Sequence, residues 1–248
     1  MTMFLSDLLN ATKKRIVSPS RWHVLCLAFH SIDVRFKGSI GRFQYQMRHE
    51  EVRAAEWSLG HFPLLARECS CGLVEVAYDI LHISRPLSSL TNMGGPKYWP
   101  SPDDVRPELL EHAPDYDSVF VFWPRNDLER GCTIPSGGWG LAIGPGNIPG
   151  GGTYCSVASA ADADWNVPCV GEVWLHEWLH GVCDFYESKG FPMPASNADG
   201  GGSHGYARSP VTGWCRYYRD LMTGRVRENG RSLGITPEAW LGGTIRSK

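Results

Sequence analysis

The chain has 248 residues, with 24 Lys and Arg against 26 Asp and Glu, so its net charge is −2. So small a net charge excludes the basic stripe that binding nucleic acid or an anionic membrane requires. Hydrophobic residues at 42% and charged residues at 20% exclude a disordered chain, and the length suits one domain with a full core.

No apolar run reaches the roughly 18 residues of a transmembrane helix. The opening MTMFLSDLLNATKKR has a short apolar part broken by Asp7, with its positive charges after it, unlike a secretory signal. Residues 22–36 read as a strand rich in Val, Leu, Ile and Phe. Residues 47–67 suit a helix, with Gly60 and Pro63 marking its break or end. Residues 73–83 read as a second strand, and Asp103-Asp104-Val105 starts a helix that runs to His112. Residues 117–124 form the clearest strand; 139–144 and 153–158 are two shorter ones between glycine turns. Residues 168–189 carry Val170, Val173, Trp174, Trp178, Val182 and Phe185 at helical spacing, with Pro168 near the first turn and Gly190 as the stop. Prolines and glycines then indicate loop, and 211–223 is a last helix. This order predicts an α+β fold: a sheet lobe, a long helix and a smaller irregular lobe.

Within the long helix, His176-Glu177-Trp178-Leu179-His180 is HExxH. The two histidines are one turn apart on one face, so both imidazoles can reach one ion. Glu177 is rotated by roughly 100° from His176. It is badly placed as a ligand of that ion but well placed as a general base for a water in the ion's open position. His49-Glu50-Glu51 begins a similar string that ends at Arg53. Trp139, Trp174 and Trp178 are cleft or core residues, and Asp162 and Asp164 lack regular calcium-loop spacing. The eight cysteines include no CxxC pair, so a tetrathiolate zinc site is not expected, and both disulfides and free thiols stay open.

On HExxH and the order of elements from about residue 22 to 190, the chain resembles the zincin superfamily of metallopeptidases. The resemblance implies Zn2+ held by His176 and His180, with Glu177 as general base. It also implies an antiparallel strand at the cleft edge that pairs with substrate backbone; residues 138–143 match best. The metzincin pattern HExxHxxGxxH fails, because Cys183 and Tyr186 stand at its glycine and last histidine. No gluzincin NExxSD segment follows, although HEWLHGVCDF locally resembles the thermolysin pattern. The glycine-rich loop 196–206 is the natural donor of a third ligand, with His204 preferred, Asp199 second, and Asp184 and Glu187 behind them. Asp184, another turn along the same helix, suits holding a neighbour more than binding metal. Tyr206 is a candidate for stabilising the oxyanion, with Tyr217 and Tyr218 as alternatives. The run Asp220–Gly224 resembles the metzincin Met-turn.

These readings predict one zincin-like domain over 1–248, with a mixed twisted sheet lobe and active-site helix over about 20–190 and a C-terminal lobe over 191–248. The expected activity is zinc-dependent hydrolysis of peptide bonds in a peptide or protein, with neither nucleic acid nor membrane as partner. Two alternatives stand beside it: a catalytically inactive zincin-like binding or structural protein, and a metal-dependent hydrolase of non-peptide amides. No pro-segment is recognised, which favours export, a narrow substrate or inactivity.

Overall fold

The fold is built on strands whose residues are buried on both faces. In the computed structural model, which describes residues 18–36, 41–158 and 169–247, the chain opens with β1 (Ser20–Phe29). It then breaks at His30 into β2 (Ser31–Arg35), which pairs antiparallel with β3 (Arg42–Gln46). The single strand expected over 22–36 is therefore two. β2 leaves the main sheet because its hydrogen-bonding edge is taken by β3.

Helix α1 (His49–Cys69) follows. It continues through Gly60 and Pro63, where the sequence predicts a break. Leu59, Phe62 and Ala66 are buried along one face, and that burial outweighs the local cost of the glycine and the proline. β4 (Val74–Ile83) matches expectation closely. Two short hairpins flank the next helix: β5 (Thr91–Asn92) with β6 (Tyr98–Trp99), then, after α2 (Arg106–His112) and β7 (Ser118–Trp123), β8 (Asn126–Asp127) with β9 (Cys132–Thr133). β10 (Gly140–Ile143) and β11 (Thr153–Ala158) lead to the long helix α3 (Glu172–Ser188). Pro168, Asp162 and Asp164 lie outside the described residues.

The main sheet has the order β10-β11-β7-β1-β4. β4, β1, β7 and β11 run parallel, and only the edge strand β10 is antiparallel. A parallel sheet covered on both faces calls for unbroken apolar strands. β7, Ser-Val-Phe-Val-Phe-Trp, is buried at every position.

Alternation along β7 divides the core. Ser118, Phe120 and Phe122 face a layer made by α1 and α3: Phe120 meets Phe62 and Trp174, and Ser118 accepts from the Trp178 indole. Trp123 faces the opposite layer, where it packs on Trp99, and the Tyr154 hydroxyl donates to the Pro100 carbonyl at 2.8 Å.

The last helix expected over 211–223 is shorter, as α4 (Cys215–Leu221). The C-terminal part is more regular than predicted. It forms a hairpin, β12 (Val226–Glu228) with β13 (Arg231–Leu233), and a capped helix, α5 (Pro237–Leu241). Short elements of this kind have too few residues for a periodic signal. They are held by contact with the rest: Trp240 stacks on Trp178, and Arg246 donates to the Tyr116 carbonyl through Nε at 3.0 Å. The turn after α4 buries Met222, whose carbonyl accepts from the Trp240 indole at 2.9 Å. Among the described residues, no helix is long and apolar enough to cross a membrane.

Trp178 joins these parts, touching Trp22, Phe62 and Trp240 while fully buried. Replacing it by alanine should cost about 3–5 kcal/mol of folding stability, read as a lowered midpoint in urea unfolding. A loss below about 1 kcal/mol would contradict this account of the core.

Candidate metal centre

Helix α3 aims its histidines by burying its tryptophans. Trp174 and Trp178 are one turn apart and fully buried against the sheet. His176 and His180, two residues further along each time, lie on the opposite side of the helix. Their Nε2 atoms are 3.3 Å apart. Two nitrogens bound to one ion at about 2.0–2.1 Å and a tetrahedral angle would lie about 3.3 Å apart, so the pair is spaced as two ligands of one ion.

Asp199 closes the group. Its Oδ1 lies 3.3 Å from His176 Nε2 and its Oδ2 lies 3.7 Å from His180 Nε2. His176, His180 and Asp199 are the one set of three such ligands found together among the described residues, with all donor atoms within 4.8 Å. The nitrogen and carboxylate donors suit a divalent transition metal such as zinc.

Asp199 sits on a short 3-10 turn, Asn197–Gly201. Three contacts set the path of that turn. The Asn197 amide donates to Asp184 Oδ1 at 3.3 Å, so Asp184 holds the loop rather than a ligand histidine or a neighbour on its own helix. The Tyr217 hydroxyl donates to the Asn197 carbonyl. Gly200 lies so close that a β-carbon there would meet the Tyr217 hydroxyl at 2.5 Å. The glycine is needed for close approach.

The structure does not bring His204 to the pair. His204 Nε2 lies 3.1 Å from the Ala195 carbonyl, and the ring stacks on Tyr217. That hydrogen bond occupies Nε2, and the ring is not part of the cluster of possible ligands. Glu187 is exposed. Tyr206 also points away: its hydroxyl donates to Asp220 Oδ2 at 2.7 Å, and burial with that carboxylate holds the phenol at about 12. The tyrosine that reaches the centre is Tyr218, fully buried, with its hydroxyl 3.0 Å from His176 Nδ1.

Glu177 is 3% exposed, with Oε1 3.9 Å from His176 Nε2. It is wedged beside the edge strand. A β-carbon at Gly140 would lie 2.5 Å from its Cδ and 2.6 Å from the Ser156 carbonyl, so only glycine at 140 leaves room for the carboxylate. Trp139, the residue before, places its ring 5.1 Å from that of His176, and the Arg208 guanidinium lies 5.3 Å over the Trp139 ring. Arg208 also donates to Glu172 Oε2 at 2.9 Å, which ties this roof to the first turn of α3.

The electrostatics follow from this burial. Desolvation pushes Glu177 up to about 7. Burial pulls His176 down, but its hydrogen bond to the Asp199 carboxylate and the charge of Glu177 outweigh it, so the imidazole is raised. Burial and the neighbouring His176 lower His180. The hydrogen bond with His176 holds Asp199 below the usual carboxylate range.

In comparisons with known proteins, no protein-family model, no curated protein and no solved structure matches the chain. Gly140, Asn197 and the contact between Tyr218 and His176 were not read from the sequence. The signal that pointed to Asp199 was the glycine-rich loop 196–206, where it stood second to His204.

A carboxyl raised on folding supplies stability at low pH and loses it as the pH climbs through its folded value. For Glu177 that loss runs from its ordinary 4.5 to about 7. In chelator-treated protein at pH 8, Glu177→Gln should therefore be more stable than wild type, by about 1–3 kcal/mol. Urea unfolding reads the difference, and an equal or lower stability would contradict the burial penalty.

Proposed function

We propose that the protein is a zinc-dependent metallopeptidase of the zincin kind, with His176, His180 and Asp199 as its metal ligands. The observation that carries this reading is the convergence of the two HExxH nitrogens and one carboxylate at coordination spacing, with a buried Glu177 beside them. Asp199 takes the place first expected for His204. The antiparallel edge strand adds support. Among the described residues, β10 pairs with β11 on one side only, runs next to α3, and carries the glycine that admits Glu177. Its free edge suits an extended peptide, which would pair with it through main-chain hydrogen bonds.

Zinc in this site would lower the pKa of a water in its open position and polarise the carbonyl to be cleaved. The chain supplies the rest. The Glu177 carboxylate takes a proton from the attacking water and later delivers it to the leaving amine. Its raised pKa suits that exchange, because a group poised near neutral both accepts and gives up a proton. Were Nε2 of His176 to bind the ion, Nδ1 would carry the proton and donate it in a hydrogen bond to the Tyr218 oxygen, which would fix the ring's tautomer and direction. Trp139 shields the His176 side of the cleft from water, and the edge of β10 holds the substrate backbone in register.

Four variants test the reading. Glu177→Gln should keep about one equivalent of zinc while kcat/KM on a peptide library falls by about 10²–10⁴-fold. Hydrolysis at the wild-type rate would rule out this mechanism. A wild-type protein that holds zinc yet cleaves no peptide would leave a binding scaffold or a non-peptide amidase in its place. Asp199→Ala should weaken zinc binding by about 100-fold or more in a chelator competition, whereas His204→Ala should leave it unchanged; the reverse pattern would restore His204 as the ligand. Tyr218→Phe should weaken zinc binding by about 10-fold, read in the same competition.

A further inference from the structure

Three elements bring sulfur to one place where α3 begins. Cys69 closes α1, Cys169 lies in the turn that leads into α3, and Cys215 opens α4. All three are free thiols here. Cys169 Sγ and Cys215 Sγ are 3.4 Å apart across 46 residues of sequence. Cys69, the buried member, donates instead to the main-chain carbonyl of Cys215, at 3.8 Å. Cys169 and Cys215 are both partly accessible, so an oxidant can reach them.

We infer that Cys169 and Cys215 form a disulfide that closes the chain segment carrying the whole candidate metal centre. Two S–H bonds break and one S–S bond forms. The two electrons and two protons pass to a small external disulfide such as glutathione disulfide, which leaves as two thiols. Bonding draws the sulfurs to about 2.0 Å, a closure of about 1.4 Å shared between two side chains.

The closed segment holds His176, His180 and Asp199. Cys215 is also three residues from Tyr218, the partner of His176. The junction is already held without a covalent bond, since the Trp214 amide donates to Glu172 Oε1 at 2.5 Å. A bridge here makes that tie permanent and removes freedom from the unfolded chain rather than from the folded one.

The pair is not built for exchange. A redox-active dithiol presents one thiol of lowered pKa. Here the mutual contact and burial push Cys169 far up. For Cys215 the contact from Cys169 is outweighed by Cys69 and burial, which leave it at about 12. The bond is a structural tie.

The inference stands apart from the peptidase reading, and its test is run in chelator so that the two fail separately. Wild-type protein is equilibrated with glutathione disulfide or with a reducing dithiol, capped with iodoacetamide and digested without reduction. The oxidised sample should yield the peptides of Cys169 and Cys215 joined, and the reduced sample should yield both capped. Oxidation should raise the melting temperature of the metal-free protein by roughly 5–10 °C, and Cys169→Ser should abolish that rise. Should Cys169→Ser fail to fold, the wild-type peptide map decides alone. Both thiols capped after oxidation, glutathione carried on either one, or Cys215 joined to Cys69 would each overturn the inference.

Discussion

Trp174 and Trp178 are buried against Phe120, Phe62 and Trp22, and their placement decides the direction of every other residue on α3. A helix with two large side chains locked into a sheet cannot rotate about its axis without emptying the core. Residues on the far side, His176 and His180, must therefore face outward. Glu177, about 100° from His176, must face along the sheet towards β10. The candidate centre is thus a consequence of core packing as much as of ligand chemistry.

The second constraint is space. The edge strand approaches α3 so closely that Gly140 cannot carry a side chain beside Glu177. That approach buries the carboxylate and raises its pKa to about 7. A single contact between strand and helix therefore sets two things together: how near β10 comes to α3, and how far Glu177 is raised. On the other side, the Asn197–Gly201 turn carrying Asp199 is held by Asp184 and Tyr217 through Asn197.

Buried aromatic side chains connect the two parts of the chain. Trp240 and Tyr186 come from either side of residue 191, and their rings lie 5.1 Å apart. Tyr217 and Tyr218, on one short helix, serve different ends: Tyr217 shapes the loop of Asp199, and Tyr218 touches His176. A seven-residue helix could not hold two such groups by its own stability. α4 is held by the core around it.

The sequence alone determined what depends on neighbours along the chain. The i, i+4 spacing of His176 and His180, the buried run of β7 and the boundaries of β11 are local patterns, and each appears in the structure as read. Other outcomes depended on partners far away in sequence. α1 runs through Pro63 because the sheet buries its apolar face, and β2 turns aside because β3 pairs with it. Asp199 rather than His204 faces the histidines because Tyr217 and Asp184 set the path of the glycine-rich loop, and because Ala195 takes the histidine's nitrogen. Loop composition marks where a ligand can come from. Which side chain arrives is decided by tertiary contacts, because a flexible loop has no periodicity of its own to direct its residues.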